Sequence, residues 1–197
     1  CNNGKRRFGN RHLMKKFIIT ILFTSILASG YAKPILSGSY EIDATKNSVL
    51  HNAIGIRYLQ EHCYYAAAQE FKIAISLNPN SQSAAISYNN LGRAYMQLGF
   101  AEQAQDCFER AIKLYGLNFE YYKNLAECYT KLGLAKQKLE EYKSGNNPLN
   151  KVMVGLLYIN TGEKRAGMIT LDSFCMSEPE LIITEGVRAY LHELSTK

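Results

Sequence analysis

The fold of this chain is decided by residues 85–118, which read AISYNNLGRAYMQLGFAEQAQDCFERAIKLYGLN. The segment carries an ordered series of small and large residues: Gly92, Tyr95, Ala104, Phe108 and Ala111. Residues three or four positions apart share one face of a helix, so the last three fall on a single stripe. Small residues at a crossing let two helix axes approach closely, and rings then fill the space beside the crossing. The segment therefore predicts two helices that cross at Gly92 and Ala104.

The same order of residues occurs at other places in the chain. An earlier copy holds Gly55, Tyr58, Ala67, Phe71, Ala74 and Pro79. A later copy holds Gly155, Tyr158, Gly167, Leu171, Phe174 and Pro179, and a weaker copy begins at Ala126 and Tyr129. A generic helical bundle needs apolar stripes but no fixed small–large order at a fixed period. The pattern resembles the tetratricopeptide repeat, a helix–turn–helix unit of about 34 residues.

The resemblance implies an all-α fold: a right-handed α-solenoid of about four helix–turn–helix units with a C-terminal capping helix. The repeat frame places the units at 48–81, 85–118, 119–147 and 148–181, and assigns 182–197 to the capping helix and tail. We expect the capping helix to run from roughly Pro179 to Leu194. Its apolar residues are expected to cover the open end of the array: Leu181, Ile182, Val187, Tyr190 and Leu191.

The unit at 119–147 is degenerate. Lys138 stands where the family has a small residue, and an ammonium group is not buried at a helix crossing without a partner. We therefore expect its second helix to be short and shifted, and to pack through Ala135, Leu139 and Tyr142. The helix is predicted to stop in the segment 145–148, Gly-Asn-Asn-Pro. In this interpretation Lys138→Ala is neutral or stabilising.

The first part of the chain is interpreted as three segments. Residues 1–13 precede Met14 and are taken as upstream residues outside the folded protein. Residues 14–32 have the form of a signal peptide, with Lys15 and Lys16 before a short apolar run and small residues at its end. The run is shorter than the roughly 20 residues that span a bilayer. Cleavage is predicted after Ala32, and residues 33–47 are predicted to form a linker.

The charge of the chain is concentrated in this first part. The formal net charge is +6, but residues 1–32 hold six Lys and Arg and no acidic residue. The remaining basic residues equal the 17 acidic ones in number. A nucleic-acid-binding protein is expected to carry a basic excess on its folded part. We therefore predict no nucleic-acid partner.

Four cysteines follow the predicted signal peptide, and their spacing fits neither a CxxC redox motif nor a zinc site. Cys107 and Cys128 fall on helices that the frame makes neighbours. They are either bridged or two buried thiols, since both occur in exported proteins. Cys175 is expected in the core, and Cys63 with His62 in a solvated turn.

No catalytic motif is present in the sequence. HExxH, GxSxG and a phosphate-binding glycine loop are all missing. The pair His62 and Cys63 lacks a group to orient it and an oxyanion site. We predict a protein that is not an enzyme, with no cofactor and no metal.

The resemblance also implies a binding surface. In tetratricopeptide arrays the first helices of the units line a groove that holds an extended or helical peptide. The frame assigns twelve residues to that groove: Asn52, Ile56, Gln60, Asn89, Arg93, Gln97, Lys123, Glu127, Lys131, Val152, Leu156 and Ile159. Among these, Arg93 and Lys123 are expected to hold a carboxylate of the partner together. The alternative is that these are ordinary surface positions, or that the linker or the capping helix covers them.

These observations predict a non-catalytic adaptor or assembly factor of a bacterial envelope that binds a protein or peptide partner in the groove. The predicted location is exported, periplasmic or extracellular, with membrane contact only through the signal peptide. Two alternatives stay open: a cytosolic secretion chaperone of the tetratricopeptide type, and an accessory subunit of an envelope enzyme.

Overall fold

The computed structural model describes residues 44–196. The predicted upstream residues, the signal peptide and most of the linker lie outside this range. Within it the chain forms α-helices and no strand: α1 Ala44–Gln60, α2 Tyr64–Leu77, α3 Gln82–Leu98, α4 Ala101–Leu114, α5 Phe119–Lys131, α6 Ala135–Ser144, α7 Asn150–Asn160, α8 Lys164–Ser177 and α9 Ile182–Thr196. The predicted all-α class is confirmed. None of these helices combines the length and the apolar character that crossing a membrane requires.

Three of the helix pairs close at the predicted small residues. A Cβ built on Gly55 would lie 2.5 Å from the ring of Phe71, and one on Gly92 would lie 2.6 Å from the ring of Phe108. In the last pair, α7 and α8, a Cβ on Gly155 would meet Leu171 at 2.6 Å. The helices approach this closely because no side chain stands at these crossings. The small and large residues that recur in the sequence are therefore the residues that pack against each other where the two helices of a pair cross.

The turn inside each pair requires a residue in the left-handed region. Gly99, Gly133 and Gly162 have φ values of 83°, 74° and 94°. The same position in the first pair is taken by His62, with φ 60°. Glycine adopts this conformation without a steric cost, whereas histidine is strained there. The sequence interpretation treated His62 as an ordinary solvated turn residue and overlooked this position.

Helix α6 of the third pair is short, as predicted. It begins at Ala135, buries Ala135 and Leu139, and is followed by Gly145. It packs mainly on α7 and makes little contact with α5. Lys138 is not an unpaired charge at a crossing, because its Nζ lies 2.9 Å from Glu141 Oε2 and 5.4 Å from the centre of the Tyr129 ring.

Buried polar groups connect α6 to the helices before it. The hydroxyl of Tyr129 on α5 donates to Glu109 Oε1 on α4 at 2.9 Å and lies 3.5 Å from the hydroxyl of Tyr142 on α6. Burial raises the pKa of the Tyr129 phenol, and its contacts with Tyr142 and Glu109 raise it further. The phenol therefore stays protonated and remains a donor.

The C-terminal part has a closed core. Helix α5 packs on α7, α7 on α8, α8 on α9, and α9 returns to α5. These four helices share one buried cluster that includes Leu125, Val152, Met153, Leu156, Leu157, Leu171, Phe174, Ile183 and Val187. A repeat array in which each unit contacts only its neighbours has no such closure.

Two predicted boundaries need correction. Helix α1 begins at Ala44, so the linker predicted over 33–47 is wrong for residues 44–47. Ser48 on α1 is buried beside Ser83, with their hydroxyls 3.4 Å apart. At the other end, Ile182 is 66% exposed, and Ile183, Thr184 and Val187 are the buried residues of α9. The predicted capping face was therefore wrong by one residue at Ile182.

Candidate functional site

A pocket of about 290 Å³ lies where α1, α3 and α5 face the same side. We call this side, formed by the first helices of the pairs, the first-helix face. The pocket is lined by Leu59, His62, Tyr64, Arg93, Met96, Gln97, Phe108, Asn124 and Glu127. The lining consists of apolar side chains, amide groups, and charged groups of both signs.

Three residues that the repeat frame assigned to the groove line this pocket. They are Arg93 and Gln97 on α3 and Glu127 on α5, and all three are exposed. The guanidinium of Arg93 donates to Asn90 Oδ1 at 3.4 Å, a long bond that leaves most of its donors available. The structure therefore brings a cation, an amide and a carboxylate together around one opening.

The frame did not include the turn that forms one wall of the pocket. His62 lies there with Tyr64, whose hydroxyl is 2.8 Å from His62 Nδ1. The signal for this wall was in the sequence, because the other units carry Gly99, Gly133 and Gly162 at the position of His62. A histidine in place of a repeated glycine gives the first turn a side chain that the others lack.

Asn52 and Asn89 hold neighbouring helices together, which corrects their assignment to a free groove surface. Ser87 Oγ and Asn90 Nδ2 donate to Asn52 Oδ1 at 3.2 and 3.1 Å. Asn124 Nδ2 donates to Asn89 Oδ1 at 2.8 Å, and Asn89 is 7% exposed. These bonds join α1 to α3 and α3 to α5, so they fix the spacing of the helices that form the pocket.

The predicted apolar end of the groove is also corrected. Val152 and Leu156 on α7 are 0% and 1% exposed and belong to the closed core. Ile159 is half-buried against the same core. In the first pair, Ile56 is half-buried on the core and Gln60 is exposed at the end of α1. Within residues 44–196, the groove positions are therefore more open in the earlier pairs than in α7.

Lys123 and Arg93 do not converge. Lys123 Nζ lies 2.7 Å from Glu120 Oε1 and 5.9 Å from the centre of the Tyr190 ring on α9. It lines a second pocket, of about 540 Å³, between α5 and α9. The structure therefore places Arg93 and Lys123 at different pockets and does not bring them together around one carboxylate. Lys131, also assigned to the groove, donates from its Nζ to the carbonyl of Met96 at 3.2 Å.

Cys107 and Cys128 are unbridged thiols, so the disulfide considered from the sequence is not formed. Cys128 Sγ donates to the carbonyl of Ala101 at 3.2 Å. Burial raises the pKa of Cys107 to about 12 and that of Cys128 to about 11. Because the thiolate is the nucleophile, neither group is reactive at neutral pH.

No group of three or more His, Cys, Asp or Glu side chains with metal-binding geometry occurs in residues 44–196. Cys63 is exposed beside His62, with its Sγ 3.7 Å from the carbonyl of Glu61. The side chains that line the pocket supply amides, one cation, one carboxylate, a histidine, a tyrosine and apolar surface.

Several solved structures resemble the chain at low identity. PilF of Pseudomonas aeruginosa has 16% identity, covers 75% of this chain and 68% of its own, and gives a TM-score of 0.48. MamA has 21% identity, 70% and 81% coverage, and a TM-score of 0.48. YrrB, a tetratricopeptide-repeat protein with an unusual peptide-binding site, has 17% identity, 73% and 77% coverage, and a TM-score of 0.47. At these values the likeness does not extend to function.

No curated protein matches the chain. The sequence of residues 83–151 matches the family model described as Tetratricopeptide repeat. This segment covers α3 to α6 and therefore includes two of the four helix pairs and most of the pocket. Residues 83–151 therefore match tetratricopeptide repeats, and the helix pairs before and after this segment continue the same all-α solenoid.

Proposed function

We propose that the chain is a non-catalytic protein-interaction protein that binds a segment of a protein partner in the pocket between α1, α3 and α5. The observation that carries this proposal is the composition of that pocket, in which Arg93, Gln97 and Glu127 lie among apolar side chains. The groove positions Val152 and Leu156 of α7 are buried, so the proposal places the partner at the pocket of the earlier pairs.

The polar groups of the pocket suit a peptide backbone. The amide side chains of Gln97 and Asn124 each offer donors and an acceptor, as a peptide group does. Amide–amide bonds of this kind hold a backbone without reading its side chains. These amide bonds account for binding of an extended segment. The charged and apolar groups of the pocket account for the choice of the partner's side chains.

Charge and apolar surface supply that selection. An exposed guanidinium at Arg93 suits an acidic side chain or a C-terminal carboxylate of the partner, in a charge-assisted hydrogen bond. Leu59 and Met96 offer apolar surface for a neighbouring side chain, and methionine adapts its shape to different partners. Glu127, on the facing helix, disfavours a second acidic residue next to the first.

The biological setting belongs to the same proposal and derives from the sequence alone. The segment 14–32 supports export to the periplasm or the outside of a bacterial cell, and an adaptor or assembly role there. Cell fractionation with N-terminal sequencing tests this part. A mature chain beginning at Lys33 is expected, and a cytosolic chain that retains residues 14–32 would favour the secretion-chaperone alternative.

The binding site is tested by site-specific photocrosslinking in intact cells. A photoreactive residue at Gln97, in the pocket, is expected to capture the partner, and the same residue at the exposed Gln103 on α4 is the matched control. The captured protein is identified by mass spectrometry and then expressed for binding measurements.

Two charge reversals then separate a site from a change of net charge. Arg93→Glu is expected to weaken binding by about tenfold, less at high salt, because exposed charges are screened within about 10 Å at 0.1 M. Lys113→Glu, on the exposed side of α4, alters the charge equally and is expected to change binding little. Arg110 is the poorer control, because its guanidinium lies 3.5 Å from the Tyr88 hydroxyl. Equal losses from both reversals would contradict the site.

A further inference from the structure

Helix α9 covers a part of the first-helix face that the repeat frame leaves to a partner. Val152 and Leu156, at groove positions of α7, are buried in one cluster with Ile183 and Val187 of α9. Helix α9 packs on α8, the helix before it in the chain, and also on α5. Helix α9 therefore lies in a groove where it packs on α5 and α8, and Val152 and Leu156 of α7 belong to the same buried cluster.

The contacts of α9 follow the pattern of a bound amphipathic helix. Ile183, Val187 and Tyr190 are spaced at i, i+4 and i+7, which places them on one stripe. Such a stripe is how a helix lies in an apolar groove of another protein. The ring of Tyr190 lies 5.4 Å from the ring of Phe119 and under the ammonium of Lys123. This end of the groove therefore favours an aromatic residue at the third position of the stripe.

The seam between α9 and α5 is incompletely filled. A pocket of about 540 Å³ remains there, lined by Phe119, Ile183 and Tyr190 among others, and Ile182 is exposed at its rim. Helix α9 also packs less extensively on α5 than on α8. The contact also depends on Gly186, because a Cβ there would lie 2.8 Å from Cβ of Phe119. The α5 side is therefore where α9 is held least firmly.

We propose that the groove bounded by α5, α7 and α8 is a second interaction surface, with α9 as its resident helix. The partner that fits it is an amphipathic helix with two aliphatic residues and an aromatic residue at the spacing of Ile183, Val187 and Tyr190. Such a helix binds by displacing α9. This inference is independent of the pocket at Arg93, since none of the residues of that pocket is used.

The test uses the full chain and a probe whose sequence is known to fit. The probe is a fluorescein-labelled peptide of residues 181–196, LIITEGVRAYLHELST. Gly186→Val in the full chain is designed to push α9 away from Phe119. His192→Val is the matched control, because it places the same branched side chain on α9 at an exposed position outside the pocket between α5 and α9. Val187→Asp is a second way to release the helix, because Val187 is 0% exposed.

Fluorescence anisotropy and hydrogen exchange are measured together. The probe is expected to bind Gly186→Val and Val187→Asp at least about tenfold more tightly than wild type or His192→Val, because a resident helix reduces the fraction of molecules with an empty groove. Amides of α5 and α7 are expected to exchange faster in the two release variants and to regain protection with the probe. A probe with Ala in place of Tyr190 is expected to bind more weakly.

Four results would overturn the proposal. One is loss of protection in α1 to α4 as well, which would make α9 a structural cap that the whole fold needs. Another is unchanged exchange in α5 and α7 in both release variants. The third is faster exchange without binding of the probe. A dimer of the release variants that exchanges α9 between copies would replace the external partner by a second copy of this chain.

Discussion

The second and third helix pairs share one repeat frame and differ in how their two helices meet. In the second pair Ala104 is fully buried at the crossing of α3 and α4, and the ring of Phe108 lies against Gly92. In the third pair Lys138 stands at the position of Ala104, and α6 lies against α7 instead of closing on α5. The two pairs thus differ both in the residue at the crossing and in the helix on which the second helix packs.

This difference between the pairs changes which helices pack on the first-helix face. Helix α5, left without a closely packed second helix, takes α7 and α9 as neighbours, and a shared core forms among them. Groove positions are open in α3, where Arg93 and Gln97 are exposed, and closed in α7, where Val152 and Leu156 are buried. The same repeat pattern therefore gives an open binding face or a closed core, according to the packing of its neighbours.

The largest expected effect comes from making the second pair resemble the third. Ala104→Lys overpacks the crossing of α3 and α4 and buries a charge without a partner, at a cost of about 3–5 kcal/mol in the free energy of unfolding. Gln103→Lys, at the exposed neighbouring position, is the control and is expected to change stability by less than about 0.5 kcal/mol. Chemical denaturation followed by circular dichroism measures both, and similar stabilities would refute the assigned crossing.

The second effect compares one repeat position in an open and in a closed setting. Leu156→Ala removes a side chain from the closed core and is expected to cost about 2–5 kcal/mol. Ile56 occupies the same repeat position in α1 and is half-buried, so Ile56→Ala is expected to cost about 1 kcal/mol. Denaturation midpoints of the two variants give the difference. If Leu156→Ala costs no more than Ile56→Ala, the closed core is not formed.

A smaller effect is expected from pH, and it concerns the closed part. Burial raises the pKa of Tyr122 on α5 to about 12, from an ordinary value of 10.0. Below pH 10 the phenol is protonated in both states. Between pH 10 and 12 it ionises in the unfolded chain but not in the folded one, so stability falls as the pH rises.

The variant that isolates this group is Tyr122→Phe, which is expected to show a shallower fall in stability between pH 10 and 12. Tyr65, with 68% exposure, is the control position, and Tyr65→Phe is expected to follow wild type. Unfolding by urea at several pH values measures the slopes. Parallel slopes for wild type and Tyr122→Phe would show that the group does not act through its burial.

The smallest effect is expected at Lys138 itself. The sequence predicted that Lys138→Ala is neutral or stabilising, but the ammonium is paired with Glu141 and lies over the Tyr129 ring. Glu141 is 59% exposed, so the pair is screened and contributes less than about 1 kcal/mol. Lys138→Ala is expected to lower stability slightly, by an amount that shrinks in high salt. A clear gain in stability would restore the original interpretation.

Much of the fold was predictable because it depends on contacts that are close in sequence. The crossing residues Gly55 and Phe71, and Gly92 and Phe108, lie within one unit each, and their spacing directly reflects helix geometry. The short helix α6 was predictable for the same reason, from Lys138 and the breaker at 145–148. Three lining residues of the pocket, Arg93, Gln97 and Glu127, also followed from the frame.

The rest of the site was not predictable, because it depends on which elements meet over long distances in the chain. Asn52 and Asn89 face the groove in the frame, yet they bond to α3 and α5 across about one repeat. His62 gains a role because its turn faces α3 and α5. Lys123 lies outside the predicted site because it contacts Tyr190 of α9. This contact joins residues far apart in the chain, so the sequence around Lys123 does not predict it.

The sequence by itself determined the helices, their pairing and the residues at their crossings, because these follow from the period of a helix and the size of side chains at fixed spacings. Only the tertiary structure decided which part of the first-helix face stays open. That choice depends on α7 and α9 both packing on α5, which buries Val152 and Leu156 and leaves Arg93 and Gln97 exposed. A repeat frame describes the units one at a time, whereas burial depends on everything that packs against a unit.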